Sequence, residues 1–544
     1  MDSNRVNTKK ADFIFLMILV SIFVLQIWKS ARGMGGVDED FYITLGYRLV
    51  KGDALIYDEW HITQLIAVFL APLIRAYIAV AGGMDGIVRF FRIAYAVFTA
   101  VTGTAIYYRF RSEYGLAAAA AAAVFMLVTP FNIMALSYNT MSIGFLALSL
   151  MVWKKETSVR ILLSGLLFAC AVLNTPYLVL LYIPFTIFMF RKKKTYGVRP
   201  WALFTAGAGI VALSFLIFLF ARETPSQMME GLRHVVDKGH SDSVLWLLVK
   251  GGGKLVQAFG VFFVIFVLEV IAAAVFRNKD EHFKQTYIAL SIAVNLGSAV
   301  YIVFINPYLP DLGGQLLILF PFALTGLVLI LIGYGKTAQF EQTCYFISLF
   351  HALMVAISSN VGPRSFCAMT VTACAMTVLI LSKTEMRSIP KLSFCAVFAG
   401  LLLFSKITNL YDGPASFDAR IYRGPFAGLR DTRENAEVYY ASLDDIEAIN
   451  KEPGEYAMLV TYKTWEYLAL NKKVATNSAF INSGFEEEWV DNQNAYHEMH
   501  PDKYPAYVYL DHNDTPYKWT GNEPFFRALK KCRELKNGTL YSFE

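Results

Sequence analysis

Charge is scarce in this 544-residue sequence. Asp, Glu, Lys and Arg make up 17% of it, against about 25% in an ordinary soluble domain. The six cysteines, at 170, 344, 367, 374, 395 and 532, include no CxxC pair and no His/Cys cluster with zinc spacing. Five of them lie in apolar runs, where cysteine behaves as a small hydrophobe, so a disulfide framework is not expected. There is no internal repeat, no low-complexity tract and no phosphate-binding glycine loop. What the chain has in excess is apolar side chain: 56% is hydrophobic and the mean hydropathy is +0.44. No water-soluble core hides that much, because even a large domain keeps a polar surface. A soluble enzyme, a disordered chain and a nucleic-acid-binding arm are excluded, and no nucleic-acid partner is expected. The chain reads as an integral membrane protein in contact with membrane lipid.

The first apolar run, 12–28, follows Arg5, Lys9 and Lys10 and ends at Lys29-Ser-Ala-Arg32 without a small-residue cleavage site, as an uncleaved signal anchor would. Twelve further runs are apolar enough to be spans: 86–108, 115–134, 141–153, 159–174, 176–190, 201–220, 256–276, 285–305, 315–334, 342–358, 366–382 and 391–407. Residues 62–82 are apolar too, but Pro72 and Arg75 interrupt them. If 62–82 lies in the interface, the basic loops alternate with outer segments, of which the short ones at 135–140, around 174–176 and at 306–314 carry no Lys or Arg. Arg109/Arg111, Lys154/Lys155/Arg160, Arg191–Lys194 with Arg199, Arg277/Lys279/Lys284 and Lys383/Arg387/Lys391 then fall on the cytoplasmic side. The expectation is an α-helical polytopic membrane protein with about 13 transmembrane helices, amino terminus cytoplasmic and carboxyl terminus outside. Residues 1–407 form the membrane domain, with an outer loop at 29–85. Residues 408–544 are polar, carry strand-like runs at 456–462 and 507–510, and suit a small extracytoplasmic α/β domain. A third outer segment, 221–255, reads as a polar loop, a candidate mobile lid.

Three consecutive carboxylates, Asp38, Glu39 and Asp40, follow the first span. Carboxylates that close raise one another's pKa or take a counter-cation. One use is oxygen ligation of a divalent metal, for which Asp38 and Asp40 are the candidates. Another is general-base chemistry on an acceptor hydroxyl or amine. After them come Tyr42, Gly52 and Tyr57-Asp58-Glu59-Trp60-His61, leading into the interfacial run.

The Asp38-Glu39-x-x-Tyr42 spacing, the later Gly52 and the place after the first span resemble the first outer loop of GT-C membrane glycosyltransferases that use lipid-phosphate sugars. Protein O-mannosyltransferases and lipid A aminoarabinose transferases are the relatives in view. Two departures stand out: Trp60-His61-Ile62 replaces a Pro-Pro pair, and the second outer loop offers Asn139 where many relatives place an Asp. The resemblance implies a GT-C-like fold and transfer of a sugar from a polyprenyl-phosphate donor to a glycan, lipid or protein acceptor at the outer face. It makes Asp38 the expected base, with Glu39 or Asp40 assisting or holding a divalent cation. Tyr42, His61 and Asn139 are expected substrate contacts. A departing phosphate calls for an outer cation, since a guanidinium matches phosphate oxygens in a two-pronged way. Arg364, the lone cation of its short loop, and Arg233 and Lys238 in 221–255 are the candidates. Arg89 and Arg92 read as interface anchors, and His497 with His500 lacks a third metal ligand.

Two other readings fit a polytopic chain. A lipid-linked sugar flippase or transporter calls for ionisable groups near the midplane, where Glu269 is the clearest example. A polysaccharide polymerase or ligase of another fold does not call for an acidic triplet after the first helix. With no organelle presequence evident, a bacterial plasma membrane is the expected location.

Overall fold

The computed structural model describes residues 8–153, 157–191, 197–235, 244–304, 314–334, 338–358, 363–408, 417–481, 486–512 and 528–543. The thirteen apolar runs are mainly helical, because a chain in hydrocarbon must satisfy its own backbone hydrogen bonds, but 115–134 leaves the helix after Leu127 and 256–276 is broken at Gly260. The 366–382 run breaks at Thr370 into two helices. Among the described residues, eight helices are long and apolar enough to cross a membrane by length and composition, and six shorter apolar helices accompany them. The protein is a polytopic helical membrane protein with a small carboxyl-terminal sheet domain.

The first six helices frame the region of interest: α1 (Thr8–Ser30), α2 (Val37–Lys51), α3 (Ala67–Ala81), α4 (Ile87–Tyr114), α5 (Leu116–Leu127) and α6 (Tyr138–Val152). Helix α2 ends at Gly52, whose φ of 108° lets its N–H turn back to the carbonyls of Arg48 and Leu49. A residue with a Cβ is strained in that conformation. Residues 64–81 count among the eight candidate spans. Helix α3 packs along α2, which itself packs on the sheet domain.

The expectation of a polar loop over 221–255 is corrected. Helices run over Pro225–Val235 and Val244–Phe259. The first opens on a Thr224-x-x-Gln227 cap: Gln227 N–H donates to Thr224 Oγ1 (3.3 Å) and Thr224 N–H to Gln227 Oε1 (2.9 Å).

The membrane helices end at Thr408 and the β elements begin at Ala419. Strands β1 (Ala419–Arg420) and β2 (Arg430–Asp431) pair antiparallel. The main sheet contains β3 (Tyr456–Val460), β4 (Lys473–Val474), β5 (Tyr507–Asp511), β6 (Leu529–Glu534) and β7 (Gly538–Phe543), in the order β4-β3-β5-β7-β6. Strand β3 is parallel to both neighbours, while β7 is antiparallel to β5 and β6. The two strand-like runs of the sequence are β3 and β5.

This domain is bonded to the segment 31–60 that follows α1. Arg430 N–H donates to Ala31 O (2.8 Å), Trp60 N–H to Asn477 O (2.9 Å) and Thr44 Oγ1 to Thr464 O (3.1 Å). Arg48, 1% exposed, is the hub. Its guanidinium meets Asp53 (2.7 Å) and Glu59 (2.6 Å) and donates to the carbonyls of Asp58 and Thr476. Lys503 reaches in from the sheet domain to Asp58 at 2.7 Å.

Candidate active site

Asp38, Glu39 and Asp40 form the first turn of α2, where the N-terminal end of the helix dipole favours negative charge. A helix turns about 100° per residue. Asp38 and Tyr42, four apart, therefore share a face, Glu39 points elsewhere, and Asp40 lies about 200° from Asp38.

Each carboxylate meets a different environment. Glu39 is fully buried and grips Arg92 with both oxygens, Oε1 to Nε and Oε2 to Nη2, each at 2.7 Å. The same guanidinium donates to the carbonyls of Ser30 (3.2 Å) and Arg32 (3.1 Å), joining the end of α1 to the start of α2. The expectation that Arg92 anchors at an interface is corrected: it is 0% exposed, because its face of α4 looks inward at the α1–α2 junction. Glu39 is thereby committed to an ion pair rather than left open to assist at Asp38.

Asp40 is 2% exposed, and its Oδ1 has no hydrogen-bond partner among the described residues. Burial holds its carboxyl well above the usual range, the charges of Glu39 and Asp38 add to this, and Arg92 opposes. Asp38 keeps exposed surface, yet the surrounding protein raises its pKa by desolvation.

Tyr42 and Tyr138 both stand within reach of the Asp38 charge. Their rings meet edge to face at 5.8 Å. Burial, followed by the Asp38 charge, holds the Tyr42 phenol well above its ordinary pKa, so it remains a hydrogen-bond donor. Tyr138 and Asn139 open α6, which is fixed by a capping box. Thr140 N–H donates to Ser137 Oγ (3.1 Å) and Ser137 N–H to Thr140 Oγ1 (2.8 Å). Asn139 is buried beside Tyr138.

His61 stands on the other side of Phe41, 4.6 Å between ring centres. His61 Nδ1 lies 2.8 Å from Thr63 Oγ1, and Thr63 N–H approaches the same nitrogen at 3.3 Å. Phe480, from the sheet domain, packs on both Phe41 (4.9 Å) and His61 (5.5 Å). An aromatic strip thus runs from the sheet domain past Asp38 to the second outer loop.

The structure brings Asp38 and Tyr42 beside Tyr138, the neighbour of Asn139, with His61 across Phe41. Arg233 lies exposed on the 225–235 helix, while its neighbour His234 stacks on Trp60. Arg364 opens the short Pro363–Met369 helix, which packs against residues 130–132 of the second outer loop and the 244–259 helix. Lys238 lies outside the described residues. Sequence reasoning passed over the inward role of Arg92, although a charge inside an apolar helix is itself a signal. Phe480 carried no signal.

A divalent cation shared by Asp38 and Asp40 does not fit. The two project from opposite sides of α2, and among the described residues no group of three or more His, Cys, Asp or Glu could hold a metal ion.

No protein family matches the sequence, and no curated protein matches it. Among solved structures the chain is similar to ArnT from Cupriavidus metallidurans. The form bound to undecaprenyl phosphate shows 11% identity, 97% coverage of each chain and a TM-score of 0.42. The apo form shows 10% identity, 98% coverage of each chain and a TM-score of 0.43.

Proposed function

We propose that this chain is a GT-C-type glycosyltransferase moving a sugar from a polyprenyl-phosphate carrier to an acceptor at the outer face of the membrane. The amino terminus is cytoplasmic and the sheet domain lies outside. The observation that carries the reading is the division of labour at the start of α2: Asp38 and Tyr42 share a face beside Tyr138, while Glu39 is withdrawn into its pair with Arg92.

In the reaction, an acceptor O–H attacks the anomeric carbon. The new C–O bond forms as the bond from that carbon to the phosphate oxygen breaks. The acceptor proton passes to Asp38, and the polyprenyl phosphate leaves with the bonding electron pair. Desolvation of Asp38 strengthens it as a base by raising its pKa towards working pH. The Tyr42 phenol and the Asn139 amide are polar groups for sugar hydroxyls. Arg364 and Arg233 are the cations offered to the leaving phosphate, and Lys238 is a third candidate by sequence.

The test is the Asp38-dependent release of polyprenyl phosphate. Purified protein in proteoliposomes receives a short-chain polyprenyl-phosphate sugar and a membrane extract as acceptor source. Wild type should release polyprenyl phosphate, and Asp38→Asn should slow release by about 10²–10⁴-fold, the usual cost of losing a general base. Its unfolding should shift by no more than about 0.5 kcal/mol. Undiminished release by a folded Asp38→Asn protein overturns the reading.

A further inference from the structure

Glu223 follows the Arg199–Phe220 span and immediately precedes the capped start of the 225–235 helix. It is 4% exposed, and neither carboxylate oxygen has a hydrogen-bond partner among the described residues. A buried carboxylate with both oxygens unmet is rare, and it costs several kcal/mol if it must carry charge.

Its surroundings make the charge harder to hold. Asp58 of the first outer loop faces it with like charge, and Arg222 beside it opposes. Arg222 Nη1 also donates to Asp53 O (3.4 Å), and the Tyr57 backbone N–H, turned towards Glu223, opposes the rise as Arg222 does. From the sheet domain, Lys503 (2.7 Å) and His500 (3.6 Å) are turned to Asp58, and Asp502 acts on Tyr57 and His500. On the helix itself, Glu230 acts on Tyr57, and His234 stacks on Trp60 at 4.2 Å between ring centres.

The same helix docks on the same loop at two further points. Gly231 lies so close to the loop that a Cβ there would fall 2.1 Å from Ile56 O. Ile56 is held at φ 67°, a strained conformation for a β-branched residue. The His234–Trp60 stack is the other point, next to His61 of the site wall. Glu223, Gly231 and His234 thus form three contacts of one helix on the loop that carries His61.

We propose that the 225–235 helix is a proton-gated cover of the first outer loop, docked when Glu223 is neutral and released when it ionises. In the docked state, burial and then Asp58 push the Glu223 carboxyl up to about 7 from its ordinary 4.5. A raised carboxyl pKa means that docking is fully supported below the ordinary value. The support is lost as pH rises through about 7, where the docked form has to hold a buried charge. The device does not depend on which reaction the site performs.

Hydrogen exchange of the full-length protein in lipid nanodiscs tests it, reading amides 225–235 and 54–61 after correction for intrinsic exchange. Wild type should open roughly tenfold or more between about pH 5.5 and about pH 8.5, since each unit of pKa displacement is worth about tenfold. Glu223→Gln should stay protected throughout. Asp58→Asn should move the midpoint down, and His234→Gln should keep the pH dependence. Gly231→Ala, unable to dock, should exchange fast at every pH. A pH-independent wild type overturns the proposal. So does a dependence that survives Glu223→Gln or vanishes with His234→Gln.

Discussion

Glu39 and Arg92 face each other as a buried two-pronged ion pair, both contacts at 2.7 Å and both side chains closed to solvent. The pair ties the start of α2 to α4, and through the carbonyls of Ser30 and Arg32 it also holds the end of α1. Asp38, the neighbouring residue, inherits its position from this tie. Removing one partner leaves the other charged and buried, which costs about 3–5 kcal/mol. Arg92→Ala should therefore unfold early in a thermal melt in detergent. Arg92→Lys should recover little of the loss, because a point charge cannot serve two oxygens and two carbonyls in the guanidinium geometry. A lysine variant as stable as wild type would assign the pair a minor role.

The pH dependence of transfer should carry the mark of Asp38. A base works unprotonated, so kcat/KM should fall as pH drops through its pKa. Desolvation places that limb above the ordinary aspartate value of 3.8. The Asp38→Glu variant should shift the limb, while the Asn variant should lack it. An acid limb unchanged in residual Asn activity would assign it to another group.

Orientation can be read with a cysteine already present. Cys532 is exposed in the sheet domain, whereas the other five are buried or half-buried in the helical region. A membrane-impermeant maleimide applied to intact cells should label Cys532. A cysteine introduced as Lys193→Cys should stay unlabelled until the cells are opened. The reverse pattern would turn the whole chain over in the membrane.

Arg364 tests the leaving-group cation. If it receives the phosphate, Arg364→Lys should lose transfer nearly as fully as Arg364→Ala, since lysine keeps the charge without the two-pronged donor. A lysine variant with full activity would reduce Arg364 to a long-stemmed residue reaching the interface.

Arg48 sets the strength of the seam with the sheet domain. It satisfies Asp53, Glu59 and two carbonyls while 1% exposed. Arg48→Met should strand two buried carboxylates and destabilise by about 3–5 kcal/mol. Limited proteolysis should then separate the sheet domain from the helices. An intact seam in this variant would shift the weight to Lys503 and Lys51.

What the sequence determined by itself was local or compositional. Scarce charge and abundant apolar side chain impose a membrane environment, and the apolar runs are mainly helical because hydrocarbon leaves the backbone no other partner. The spacing of Asp38 and Tyr42 puts them on one face of any helix that forms there. The two strand-like runs of the tail likewise became β3 and β5. The tertiary structure decided the relationships between distant residues. Glu39 meets Arg92 across 53 positions, and Arg48 meets Thr476 across 428. Nothing in periodicity marked Phe480 as the neighbour of Phe41 and His61. It also withdrew Glu39 from the acidic triplet and set Asp40 on the far side of the helix from Asp38. The physical reason is range: turn geometry and hydropathy act over a few residues, whereas burial of a charge depends on what the whole chain packs around it.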